Sequence, residues 1–260
     1  MNQAITLPNG DQMTALILGE GPPLLCLHAP CIGSINFCFQ RPLADSYTLV
    51  IPDLPGHGQS SPRPTPYSIE DLAQTLHALM NELGLERPFI LGYSQGASIA
   101  LAYALCFPAE VQGLILVGAY SEVNDFYLHG RFYMAQTMAS MHGVPLLARS
   151  IASSHIDDPD LREEWITHAS LTDAATLKQL YTAGHAYNCT ERLPEVHVPT
   201  LLVYGELDKH MHAYGQLLSK GLPQAQVAMI PGVAHQVVTK AAADLNRLCR
   251  EFTYAKTGGS

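Results

Sequence analysis

The chain reads as an α/β protein, a doubly wound and mostly parallel sheet interrupted by one helical insertion. Three observations predict this. Short apolar runs recur along the chain, and several are apolar on both faces, as strands buried inside a parallel sheet are. Helical stretches separate them, the alternation that places helices on both faces of a sheet. The alternation lapses across residues 121–195 and resumes at "VPTLLVYG".

The strand candidates in order begin with "MTALIL" (13–18), "PLLCLH" (23–28) and "YTLVIPD" (47–53). "SIEDLAQTLHALMNELGL" then opens on Ser68 as a cap and places Leu72, Leu76, Leu79 and Leu83 on one helical face. "PFILGY" (88–93) is a short buried strand, and the Ala- and Leu-rich stretch from Gln95 to Pro108 is a helix. "VQGLILVG" (111–118) is the next strand. Residues 121–195 carry aromatic and methionine side chains at helical spacing and read as a lid over one end of the sheet. "TLLVYG" (200–205), the helix "HAYGQLLSKGL", the strand "QVAMIPG" (226–232) and the helix "AAADLNRLCREF" complete the pattern. The expected organisation is a core of residues 1–120 and 196–255, a helical lid at 121–195 and a tail at 256–260.

Composition removes several function classes. Hydrophobic residues make up 47% of the 260 and charged residues only 14%, too few charges for a disordered chain or a coiled coil. A net charge of -9 without any Lys/Arg cluster argues against a nucleic-acid surface. The first residues lack a basic stretch followed by an apolar one, so no signal peptide is expected. No apolar run approaches the ~20 residues that span a bilayer, so no membrane partner is expected. The six cysteines are scattered without a C-x-x-C, which predicts a reduced, cytoplasmic protein.

The chemistry gathers at "LGYSQGAS". A strand that turns directly into a helix needs one strained residue at the corner and neighbours without a Cβ. Gly92 and Gly96 meet that need around Ser94, whose hydroxyl is left at the apex before a helix N-terminus that favours negative charge. Alone, G-x-S-x-G is weak evidence. A serine hydroxyl also needs an imidazole to take its proton and a carboxylate to orient that imidazole. In the elbow arrangement the chain order is Ser, acid, His. Asp208 follows the strand "TLLVYG" and His235 follows the last strand, so all three converge outside the carboxyl ends of the strands. Glu206 is a rival acid, nearer the strand end. His210 and His212 have a spacing that suits a metal, but without a third ligand nearby they read as a solvated loop.

With "LCLHAPCIGS", "VIPDLPGHGQSS", "LGYSQGAS", "VPTLLVYGELD" and "IPGVAHQ" in hand, the chain resembles the α/β-hydrolase superfamily over essentially its full length. The resemblance implies catalysis by Ser94, Asp208 and His235 without metal or organic cofactor, and a structural role for His57 in "DLPGHGQS". It also implies an oxyanion hole of two backbone N–H groups, that of Gln95 and one from the loop after His28. The family usually has His-Gly-X there, with X donating. This chain has His28-Ala29-Pro30, and proline has no N–H. Either Cys31 donates from a shifted loop or the second donor is missing.

The expected pocket takes in His28, Tyr93, Phe126, Tyr133, Met138 and Trp165. The expected activity is hydrolysis of a small, fairly apolar carboxylic ester or lactone through an acyl-enzyme. The alternatives are a C–C bond hydrolase of a β-diketone or vinylogous acid with the same triad, and a hydrolase-derived receptor with little turnover. Gln236 replaces the lysine that follows the catalytic histidine in hydroxynitrile lyases, which disfavours that activity.

Overall fold

A computed structural model describes residues 2–63 and 66–257. Its sheet has eight strands among the described residues: β1 (Asn2–Thr6), β2 (Gln12–Leu18), β3 (Pro23–Leu27), β4 (Thr48–Pro52), β5 (Phe89–Tyr93), β6 (Gly113–Val117), β7 (Thr200–Gly205) and β8 (Ala225–Ile230). They lie in the order β1-β2-β4-β3-β5-β6-β7-β8. The pairs β1–β2 and β2–β4 are antiparallel, and from β4 to β8 every pairing is parallel.

The apolar strands are apolar on both faces because both faces are covered. Ile90, Leu114, Leu116 and Leu202 pack on one side with helices α1 (Ile69–Glu82) and α2 (Gln95–Cys106), joined by Tyr214 and Leu218 of a later helix. Their strand neighbours Phe89, Leu91, Ile115 and Val203 point the other way, onto Phe37, Leu43, Leu245 and Phe252. Each fully buried side chain of this kind contributes about 1.5–3 kcal/mol. Helix α1 starts where expected: the Ser68 hydroxyl accepts from the Asp71 N–H, and the Asp71 carboxylate accepts from the Ser68 N–H.

Between β6 and β7 the chain makes four helices, α3 (Phe126–Ser140), α4 (Val144–His155), α5 (Pro159–Ser170) and α6 (Ala174–Ala186). Asp125, Asp158 and Asp173 cap α3, α5 and α6 by accepting from the N–H of the third residue on. Several bonds tie the insertion to the core, three of them on one side. Asp173 N–H donates to Gly56 O, Tyr67 Oη donates to Thr176 O, and His168 Nε2 meets Asp53 Oδ1 at 2.9 Å. Helices α7 (His212–Gly221), α8 (Val237–Lys240) and α9 (Ala242–Thr257) follow β7 and β8.

Several elements go beyond the pattern expected from sequence. Strand β1 is a mostly exposed edge strand without an apolar run. A 3-10 helix over Ser34–Asp45 holds Pro42 inside it and non-helical dihedrals at Phe37, so no helical period marks it. Helix α9 runs through Thr257, so residues 256–257 belong to it and not to a tail; residues 258–260 lie outside the described residues. All six cysteines are unpaired, and no helix among the described residues is long and apolar enough to cross a membrane.

Candidate active site

Ser94 ends β5 at φ 54° and ψ -120°, a strained conformation for a residue with a side chain. What holds it there is backbone packing. The Ser94 N–H donates to Val117 O at 2.8 Å, which ties the corner to β6. A Cβ on Gly96 would stand 2.1 Å from Leu27 O, and one on Gly92 would stand 2.6 Å from the Cα of Ala97. Strand, turn and helix therefore approach one another more closely than any side chain permits.

His235 lies in the loop after β8, and its Nδ1–H donates to Asp208 Oδ2 at 2.7 Å. Asp208 lies in the loop after β7. Two main-chain bonds brace the loops together, Glu206 N–H to Ile230 O and Leu207 N–H to Val233 O, both at 2.9 Å. The imidazole fits over the end of β6 because residue 118 is glycine, at φ 59°; a Cβ there would lie 2.7 Å from His235 Cε1. Glu206, the rival acid, accepts from Gly232 N–H at 3.1 Å and staples the loop that carries His235. Asp208 is the carboxylate that meets the imidazole.

The opposite wall is the loop from His28 to Ser34, and three of its N–H groups are committed to the scaffold. Ala29 N–H donates to Asn36 Oδ1 at 3.2 Å, Cys31 N–H to His57 Nε2 at 3.1 Å, and Ser34 N–H to Asp53 Oδ1 at 2.6 Å. The expectation that Cys31 serves as an oxyanion donor is thus corrected: its N–H is taken by His57. Its thiol is turned toward Val144 O and packs with Ala139, Leu147 and Leu177, and burial pushes it up to about 12. Among the described residues Gln95 N–H, at the first position of α2, has no partner of this kind. His57 completes its other bond by donating from Nδ1 to Pro55 O, and burial lowers it to about 4, so it is a neutral acceptor in the scaffold. Burial would raise the Asp53 carboxyl, but the His168 bond and charge, with the Ser34 N–H, outweigh it and hold the group below its ordinary range.

Ser94, Gln95 and His235 open onto a cavity of about 190 Å³. Of the side chains expected there, Tyr93 lines it, and its hydroxyl donates to His155 Nε2 at 3.0 Å. The other five do not. His28 is fully buried under the loop, donating from Nδ1 to Ala29 O and accepting from Leu54 N–H. Phe126 and Tyr133 turn outward, 97% and 62% exposed. Met138 packs beside the cluster around Cys31, and Trp165 is buried behind His155 with ring centroids 5.3 Å apart. The inward face of α3 is instead Leu128, Arg131, Phe132 and Ala135, with Ile151 and His155 from α4 and Tyr181 from α6. The phase of α3 was the missed signal: 128, 131, 132 and 135 form one stripe of a 3.6-residue period, opposite the aromatic residues at 126 and 133.

The model for the alpha/beta hydrolase fold matches residues 22–238. The chain belongs to the α/β-hydrolase family. It is 31% identical to Lipase 1 of Psychrobacter immobilis, over 92% of this chain and 80% of that protein. It is 27% identical to 2-hydroxy-6-oxononadienedioate/2-hydroxy-6-oxononatrienedioate hydrolase 2 of Pseudomonas putida, over 95% of this chain and 89% of that one. The enol-lactonase of Burkholderia xenovorans LB400 shares its fold with a TM-score of 0.87 at 19% identity, over 96% of this chain and 99% of that one.

In this hydrolase His235, held at Nδ1 by Asp208, lines the same cavity as Ser94. His155, at the far wall, has Nδ1 donating to Ile151 O and Nε2 accepting from Tyr93, and burial lowers it to about 4. It is a neutral wall, not a second base. His210 and His212 diverge: His210 stacks on Tyr127 with ring centroids 4.0 Å apart, while His212 Nε2 donates to Gly205 O. Among the described residues no three metal-ligating side chains cluster.

Proposed function

We propose that this chain hydrolyses a small, fairly apolar carboxylic ester or lactone through an acyl-enzyme on Ser94. The observation that carries the proposal is the strained Ser94 sharing one cavity with His235, whose Nδ1 is 2.7 Å from Asp208. Ser94 Oγ attacks the carbonyl carbon as His235 Nε2 takes its proton, and Asp208 stabilises the imidazolium. Gln95 N–H and the positive end of α2 support the oxyanion. The C–O bond to the leaving alkoxide breaks as His235 returns the proton to it. A water then gives a proton to His235 as its oxygen bonds the acyl carbon, and the acid leaves as the C–Oγ bond breaks and His235 returns that proton to Ser94 Oγ. Helices α3 to α6 act as the lid that shapes the cavity and keeps bulk water from the acyl-enzyme. The test is a series of p-nitrophenyl esters from acetate to decanoate alongside γ- and δ-lactones, with Ser94→Ala as control. Turnover of the short and medium esters that vanishes in the variant supports the reading, and turnover that survives it contradicts it.

A second reading is C–C bond hydrolysis of a vinylogous 1,5-diketo acid by the same three residues. The 27% identity to the Pseudomonas putida hydrolase over 95% of this chain favours it. A 2-hydroxy-6-oxo-dienoate consumed faster than any ester would put it first.

A further inference from the structure

The inward stripe of α3 is apolar except at one position. Leu128, Phe132 and Ala135 line the cavity at helical spacing, and Arg131 lies on the same stripe and lines the same cavity. Its Nη1 donates to Tyr127 Oη at 3.1 Å, a neutral partner on its own helix. Among the described residues no carboxylate forms an ion pair with it, and no acceptor takes its remaining N–H groups. Arg192, Arg247 and Arg250, by contrast, each meet a carboxylate. The Arg131 charge is felt inside the cavity. It opposes the effect of burial on the hydroxyls of Tyr93, Tyr120 and Tyr181 and adds to it on His155, and all four line the cavity.

We propose that Arg131 makes this cavity a site for esters that carry a carboxylate on the part of the substrate reaching α3. A guanidinium presents a planar fork of donors that matches a carboxylate, and Arg131 lines the cavity while remaining exposed, so water screens part of the pair. The inference deepens the ester-hydrolase reading and rests on it for turnover, though not for binding. The substrate class is the half-ester of a dicarboxylic acid, its ester carbonyl at Ser94 and its free carboxylate at Arg131.

The test compares monomethyl adipate with dimethyl adipate, which differ in one charge and little in size. The wild type is expected to show a higher kcat/KM for the monoanion, chiefly through KM. Arg131→Gln should lower the ratio of the two kcat/KM values by roughly twofold to fivefold, the worth of one partly screened ion pair, and Arg131→Lys should recover part of it. Calorimetry on Ser94→Ala reads the same preference without turnover. Tighter binding of the monoanion that is lost in Ser94→Ala/Arg131→Gln supports the site even where no ester is cleaved, a result that would remove the hydrolase reading alone. Equal binding and equal kcat/KM of the two esters, or a ratio that Arg131→Gln leaves unchanged, overturns the proposal.

Discussion

The two walls of the cavity are built on opposite principles. On the Ser94–His235 wall, backbone constraints leave polar groups facing the cavity: the elbow is fixed by main-chain packing at Gly92 and Gly96, and the imidazole by Asp208 and the space at Gly118. On the wall from His28 to Ser34, the same kind of constraint turns polar groups away. Ala29, Cys31 and Ser34 give their N–H groups to Asn36, His57 and Asp53, and Pro30 has none to give. One wall is prepared to move a proton. The other supplies shape, and in the proposed reaction the support for negative charge falls on Gln95 N–H and the start of α2.

The largest effect is expected on the first wall. Asp208→Asn should lower kcat by a factor on the order of 10³–10⁴, because the imidazole loses its orienting charge. Glu206→Gln should cost far less, since Glu206 meets a loop N–H and not the imidazole. Steady-state kinetics of both variants check the assignment, and a reversal would exchange the roles of the two acids.

On the second wall the sign changes. Pro30→Gly adds an N–H where the wall lacks one, and kcat for p-nitrophenyl acetate should rise, by about tenfold. That is less than the 10²–10³ of a well-aimed donor because glycine loosens the loop. A fall in kcat at constant KM would mean instead that the Cys31 N–H leaves His57 during reaction and that Pro30 aims it.

Acid should expose a cost shared by both walls and read in stability, not in rate. His57 and His155 are lowered to about 4 by burial, while in the unfolded chain they titrate near 6.5. The unfolded state therefore binds protons first as pH falls. The stability these groups contribute is complete above about pH 6.5 and declines toward pH 4, by about 1.4 kcal/mol per pH unit for each group. Urea midpoints measured from pH 7.5 to 4.5 should fall, and His155→Phe should reduce the slope. A flat profile contradicts buried neutral histidines.

The contrast also explains what was legible in the sequence. The elbow could be read because its cause is local: two missing Cβ atoms flank one serine. Asp208 and His235 could be read because each directly follows a strand, and parallel strand ends converge. The loop after His28 was only half legible. The missing N–H of Pro30 is written in the sequence, but the bond from Cys31 to His57 joins residues 26 apart and depends on how the two loops cross. In α3 apolar residues occupy both faces, so residue type alone placed Phe126 and Tyr133 inside when only their phase decides. The Ser34–Asp45 helix was illegible because Pro42 and the kink at Phe37 break its period.

The central claim is that one serine, held in strain at the elbow, is the nucleophile. A fluorophosphonate probe followed by peptide mass spectrometry tests it most directly. The account predicts a single adduct on the peptide that contains Ser94, abolished by Ser94→Ala and slowed by Asp208→Asn. An adduct elsewhere, or labelling that persists in Ser94→Ala, contradicts it.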